Sequence, residues 1–283
     1  MKLKKLISGL MAGILLFGVC APGLHSAAEN AQSNEMPECL AYGFADSGGV
    51  KIEYGIYGNL NAEPLLLLPP NGGDMHSFDG NILPEMAKHF KVITVSPRGC
   101  GKSGRGTGKL TFEVMSADLV NLLDALKIEK TNIFGFSDGG NLGIVFTLEH
   151  QDRVSKLVIM GANINTLGTK TFDQIGIEIM YRYLCVKAFF TKDPSVALER
   201  DIEGMMVGQP KLRFRDLAAI QIPVFNIFGE HDMIWRWHSR MITKSISGAQ
   251  ELMIIGGGHS TCFSQTDTVI NPALLAFYGV SAE

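Results

Sequence analysis

The 283-residue sequence predicts an α/β chain: a mostly parallel, doubly wound sheet with a small helical cap insert. Three observations predict it. Short apolar runs of strand length alternate with stretches of helical spacing from Val50 onward. One of these runs passes through a tight turn, Gly135-Phe136-Ser137-Asp138-Gly139, directly into a helical stretch. Residues 163–209 keep helical spacing without any strand and interrupt the alternation once.

Taken in order, residues 1–28 read as a secretory signal peptide. Lys2, Lys4 and Lys5 form a positive start, Leu6 to Val19 an apolar stretch too short to span a bilayer, and Ser26-Ala27-Ala28 a cleavage site. The expectation is a secreted or extracytoplasmic protein with no stable membrane span after cleavage. Val19 does not suit a lipidated Cys20. Residues 29–48 are expected to be a flexible lead-in. The fold proper is expected over 49–162 and 210–283, with the cap at 163–209.

Val50 to Tyr57 alternates as a strand, and Leu65 to Leu68 is a buried strand followed by Pro69-Pro70-Asn71-Gly72-Gly73. Phe78 to Phe90 has helical spacing, Lys91 to Ser96 is a strand, and Thr111 to Lys127 is a helix with Thr111 as N-cap. Thr131 to Phe136 is a strand and Asn141 to His150 a helix. Lys156 to Gly161, Pro223 to Phe228 and Glu251 to Ile255 are further strands, and Thr266 to Phe277 closes the chain as a helix. The insert is rich in Met and aromatic side chains, and its apolar faces without a sheet suit a lid over a pocket. Met180, Tyr181 and, from the loop after Asn71, His76 are the candidate pocket residues.

Composition narrows the functions. A formal net charge of −3 and 19% charged residues offer no basic field for nucleic acid. Cys39, Cys100, Cys185 and Cys262 are too widely spaced for a zinc ribbon or a redox pair, and their number allows three double disulfide pairings as well as free thiols. Gly99-Cys100-Gly101-Lys102-Ser103-Gly104 imitates a dinucleotide fingerprint, but the sequence continues as loop, so no helix N-terminus receives a pyrophosphate.

The chemistry concentrates in the G-x-S-x-G turn. A strand–turn–helix context lifts the Ser137 hydroxyl above the sheet and aims the Asp138 N–H at whatever Ser137 attacks. An activated serine needs a base, and the base an orienting acid. Both must come from loops at the carboxyl ends of strands. Gly229-Glu230-His231-Asp232 offers Asp232 ahead of Glu230, because the turn needs room to bring the carboxylate round. Gly256-Gly257-Gly258-His259 offers His259, ahead of His231 and His76.

With these pieces the chain resembles the α/β-hydrolases of the single-domain-plus-cap kind, near the proline iminopeptidase, valacyclovir hydrolase and C–C hydrolase group. The resemblance rests on the glycine turn after Leu68, Arg98-Gly99-Cys100-Gly101-Lys102-Ser103, Gly135 to Gly140, Gly229 to Asp232 and Gly258-His259, and runs from about Val50 to Phe277. It implies Ser137 as nucleophile, His259 as base, Asp232 as acid, and Asn71 and Asp138 as oxyanion N–H donors. It implies a carboxylesterase-like serine hydrolase acting on a small molecule without metal or organic cofactor. N-terminal peptidase action and C–C bond hydrolysis are alternatives on the same triad, and non-catalytic ligand binding is the alternative of another class. The substrate and the oligomeric state stay open. Two departures stand out: Pro69-Pro70 replaces the usual His-Gly, and Ser96 replaces the usual acidic residue before the Arg-Gly-x-Gly loop.

Overall fold

The computed structural model describes residues 35–280. The signal-peptide reading of 1–28, Cys20, the first part of the expected lead-in and the Cys262 side chain lie outside the described residues. Eight strands form one sheet: β1 (Cys39–Ser47), β2 (Val50–Gly58), β3 (Pro64–Leu68), β4 (Lys91–Val95), β5 (Thr131–Phe136), β6 (Val154–Met160), β7 (Val224–Gly229) and β8 (Gln250–Ile254). Their spatial order is β1-β2-β4-β3-β5-β6-β7-β8. The β1–β2 and β2–β4 pairs are antiparallel and all others parallel.

Parallel strands buried on both faces must feed two cores, and they do so residue by residue. Leu66, Leu68 and Ile133 point into one layer, under α2 (Phe112–Ala125) and α3 (Asp138–Glu149). Leu65, Leu67 and Phe134 point into the other, under α1 (Ile82–Met86) and α7 (Asn271–Tyr278). Between β6 and β7 the chain leaves the sheet and forms α4 (Thr171–Thr191) and α5 (Pro194–Gly208). Helix α6 (Arg236–Ser245) lies between β7 and β8.

Two expectations need correction. Residues 39–47, expected within the flexible lead-in, form β1. The strand hides from sequence reading because its large apolar side chains, Leu40, Tyr42 and Phe44, face outward, while Ala45 and Ser47 face in. It is fixed instead by a two-residue hairpin turn at Gly48-Gly49, both at positive φ. The helix expected from Phe78 to Phe90 shrinks to α1. Gly80 and Pro84 disfavour a longer one, and the apolar spacing serves turns that bury Phe78, Ile82, Leu83 and Phe90. Of the possibilities left open for the cysteines, the free thiol holds for Cys39, Cys100 and Cys185. The helix α6 was not evident from the sequence, because its buried stripe is His238, Ser239 and Ile242 rather than an apolar run.

The position of Ser96 finds its acid elsewhere. Glu53 of β2 accepts hydrogen bonds from the Ser96 hydroxyl (2.7 Å) and the Lys102 N–H (2.8 Å), so a carboxylate from a neighbouring strand braces the Arg98–Ser103 loop.

Candidate active site

Ser137 stands between β5 and α3 at φ +54°, ψ −121°, a backbone conformation that side chains rarely adopt. The two glycines around it make the turn sterically feasible. A Cβ on Gly139 would overlap the Leu68 and Pro69 carbonyls, and one on Gly135 would overlap the Gly139 backbone. Gly139→Ala is therefore expected to destabilise the protein by about 3 kcal/mol. Urea unfolding checks this, and an unchanged midpoint would mean that the turn has slack.

Asp232 follows β7 and is buried to 1% exposure. Its Oδ1 accepts the Ile234 N–H at 3.0 Å and lies 2.7 Å from His259 Nδ1. Burial by itself would raise this carboxyl. The hydrogen bond and charge of His259, with the N–H groups of Ile234 and Gly229, outweigh burial and hold it below the ordinary carboxylate value. His259 follows β8 and three glycines. Its Nε2 lies 2.9 Å from Ser137 Oγ, and its ring packs on Phe136 with centroids 5.1 Å apart. Gly161, at φ +62°, leaves room for the imidazole: a Cβ there would sit 3.0 Å from His259 Cε1. With Nδ1–H donated to an ionised Asp232, Nε2 presents a lone pair to the serine hydroxyl.

The competing residues have other partners. Glu230 accepts the Gly256 N–H at 3.0 Å and so ties the two loops together. His231 is exposed. His76 is exposed and bonded to Asp79 at 2.9 Å. Met180 and Tyr181 lie within the cap. Met180 packs on the small cap core of Leu184, Ala188 and Val196, and Tyr181 lies against Gly204 of α5, so both hold the cap helices together.

The amide N–H groups of Asn71 and Asp138 have no hydrogen-bond partner among the described residues, as oxyanion donors should not. The Asn71 side chain is engaged: Nδ2 donates to Asp138 Oδ2 (2.8 Å) and to the Ile202 carbonyl of α5 (3.0 Å). Asn141 Nδ2 donates to the other Asp138 oxygen at 2.9 Å. A small cavity adjoins this cluster, walled by Pro70, Asn71, Cys100, Asp138, Ile202 and Met205; Ser137 and His259 are not on its wall.

One acid that senses the Asp138 charge escaped sequence reading. The Glu203 side chain of α5 has no hydrogen bond or ion pair among the described residues. Burial, then the charges of Asp138 and Glu199, push its carboxyl up to about 7. Asp138 is also raised, by burial against the two amide hydrogen bonds and the His259 charge. Nothing in a helical, mixed-polarity insert signals which acid would come within reach of the Asp138 charge.

Residues 63–184 match the family described as alpha/beta hydrolase fold. The chain has the α/β-hydrolase fold. A solved hydrolase from Pseudomonas aeruginosa PA01 superimposes with a TM-score of 0.69 at 22% identity, over 86% of this chain and all of that one. The human serine hydrolase BPHL is 26% identical over 75% of this chain and 78% of its own length. The 2-hydroxy-6-oxononadienedioate/2-hydroxy-6-oxononatrienedioate hydrolase of Paraburkholderia xenovorans LB400 is 34% identical over 40% of each chain. Relatives matched above 30% identity are spanned over about two fifths of their own length.

Proposed function

We propose that the protein is a serine hydrolase that cleaves a small carboxylic ester or amide through an acyl-enzyme, using Ser137, His259 and Asp232. The observation that carries this reading is the continuous hydrogen-bonded line from Ser137 Oγ through His259 to buried Asp232, set on a strained turn. The serine oxygen attacks the carbonyl carbon while His259 Nε2 takes its proton. The Asn71 and Asp138 amides hold the oxyanion. His259 then protonates the leaving group, and a water deprotonated by the same nitrogen releases the acid. The names of BPHL and of the dioate hydrolase support hydrolysis as the reaction class. The leader read in residues 1–28 supports action outside the cytoplasm. Labelling with a fluorophosphonate probe, followed by a panel of acyl esters of graded length, tests the reading. A folded protein that takes up no probe and turns over no ester would be a non-catalytic binder.

A second, finer reading follows from the two carboxylates beside the elbow. Asp138 and Glu203 suit a substrate that carries a positive charge, such as an α-amino ester. For that substrate Asp138→Asn or Glu203→Gln is expected to lower kcat/KM by about ten- to a hundredfold, with little change for the matched ester lacking the amine. Because Glu203 carries its charge only above about 7, the preference should grow as pH rises through that value. Equal losses on the matched pair would leave a plain carboxylesterase.

A further inference from the structure

Helix α4 carries an uncovered apolar stripe. Phe172 is 90% exposed, Phe189 74% and Phe190 76%, and Ile175, Ile179, Tyr183 and Val186 are each about half exposed. On a helix of 3.6 residues per turn these positions form one face, about 30 Å long. The opposite face, through Leu184 and Ala188, is buried against Val196 of α5. Together the seven side chains expose on the order of 800 Å² of largely apolar surface, more than the largest patch of an ordinary monomer and about what one partner gives to a stable dimer.

The stripe is also close to palindromic. Phe172 and Phe190 stand nine residues either side of Tyr181, Ile179 and Tyr183 stand two either side, and Ile175 and Val186 stand six and five. The charges at its edges have the opposite symmetry. Asp173 and Glu178 are in the first half, Arg182 and Lys187 in the second. By helical rotation Asp173 and Lys187 border one edge of the stripe, Glu178 and Arg182 the other.

We infer that α4 is a homodimer interface, in which two copies of the chain pack their cap helices antiparallel about a twofold axis near Tyr181. That axis brings each edge against the same edge of the second copy. Asp173 then meets Lys187, Glu178 meets Arg182, and Phe172 meets Phe190. A parallel arrangement would set acidic half beside acidic half. An isologous contact of this kind closes on itself and covers the α4 stripe of both copies. The edge charges argue against a lipid surface as the occupant, since a helix lying on an anionic membrane carries Lys and Arg along its polar borders rather than equal numbers of both signs.

Sedimentation equilibrium of the whole protein tests the inference. The chain is expected to be dimeric at about 10 µM. Ile179→Glu, which sets two carboxylates close to the axis, should weaken the dimer by at least about a hundredfold with unchanged circular dichroism. Asp173→Lys and Lys187→Glu should each weaken it by about tenfold alone, and an equimolar mixture of the two variants should recover wild-type association, because each then faces its opposite charge. A wild type that stays monomeric at about 100 µM overturns the inference. So does a dimer indifferent to Ile179→Glu, a mixture that fails to recover, or a monomer that co-sediments with phosphatidylserine–phosphatidylcholine vesicles through these side chains.

Discussion

Ser137→Ala is expected to lower kcat by about 10⁶-fold and to leave the folded structure intact. The hydroxyl is the only atom lost, and it lies at the surface of the turn rather than in the core. His259→Gln should cost nearly as much, and the double variant little more than either alone, because the line of hydrogen bonds acts as one device. The residual rate should come from the Asn71 and Asp138 amides and from binding. Single-turnover kinetics on the best ester of the panel, with circular dichroism as the folding control, check this. Near wild-type turnover by folded Ser137→Ala, or additive losses in the double variant, would require a different nucleophile.

The second large effect concerns acid stability and lies away from the triad. His238 of α6 is fully buried, its Nε2 accepts the Ile164 N–H at 3.1 Å, and its buried Nδ1 has no partner among the described residues. Burial pushes its pKa down to about 4. Above the ordinary value of about 6.5 the imidazole is neutral in both folded and unfolded chains and contributes no pH dependence. Between about 6.5 and 4 the unfolded chain takes up a proton that the folded chain refuses, so stability falls with pH, by about 3 kcal/mol once both are protonated. Glu203 acts in the opposite sense. Its raised pKa lets the folded chain take up a proton first, so stability increases as pH falls through about 7 towards the unfolded carboxyl range. Urea unfolding at neutral and at mildly acidic pH, with wild type and His238→Gln, separates the two. The variant is expected to lose about 2 kcal/mol less on acidification. Equal losses in both proteins would assign the acid sensitivity to another group.

The sheet was legible because its central strands are unbroken apolar runs: Leu65 to Leu68 and Ile133 to Phe136 have no polar face to confuse the period. The residues of the hydrogen-bonded line were legible for a topological reason. In a parallel sheet every strand end points the same way, so the loops after β5, β7 and β8 converge, and the polar residue after each glycine turn is the candidate. β1 was illegible because its pattern is inverted, and α6 because its buried stripe is polar. The cap defeated pattern reading more thoroughly. Helix α4 is apolar on both its faces, so no count of spacing tells that Met180 and Tyr181 turn toward α5 while Phe172 and Phe190 look outward. Glu203, whose carboxyl feels the Asp138 charge, is one of several acids in the insert, and only the packing of α5 on the Asn71 loop selects it.

The Asn71 side chain bonds at once to the carboxylate next to the nucleophile and to a backbone carbonyl of the cap. These two hydrogen bonds use both protons of one amide. Any displacement of α5 would therefore release a constraint on the residue whose main-chain N–H is proposed to hold the oxyanion. On the proposed reading, admission of a substrate and readiness to stabilise its charged intermediate would then not be independent adjustments; they would share a single rotamer.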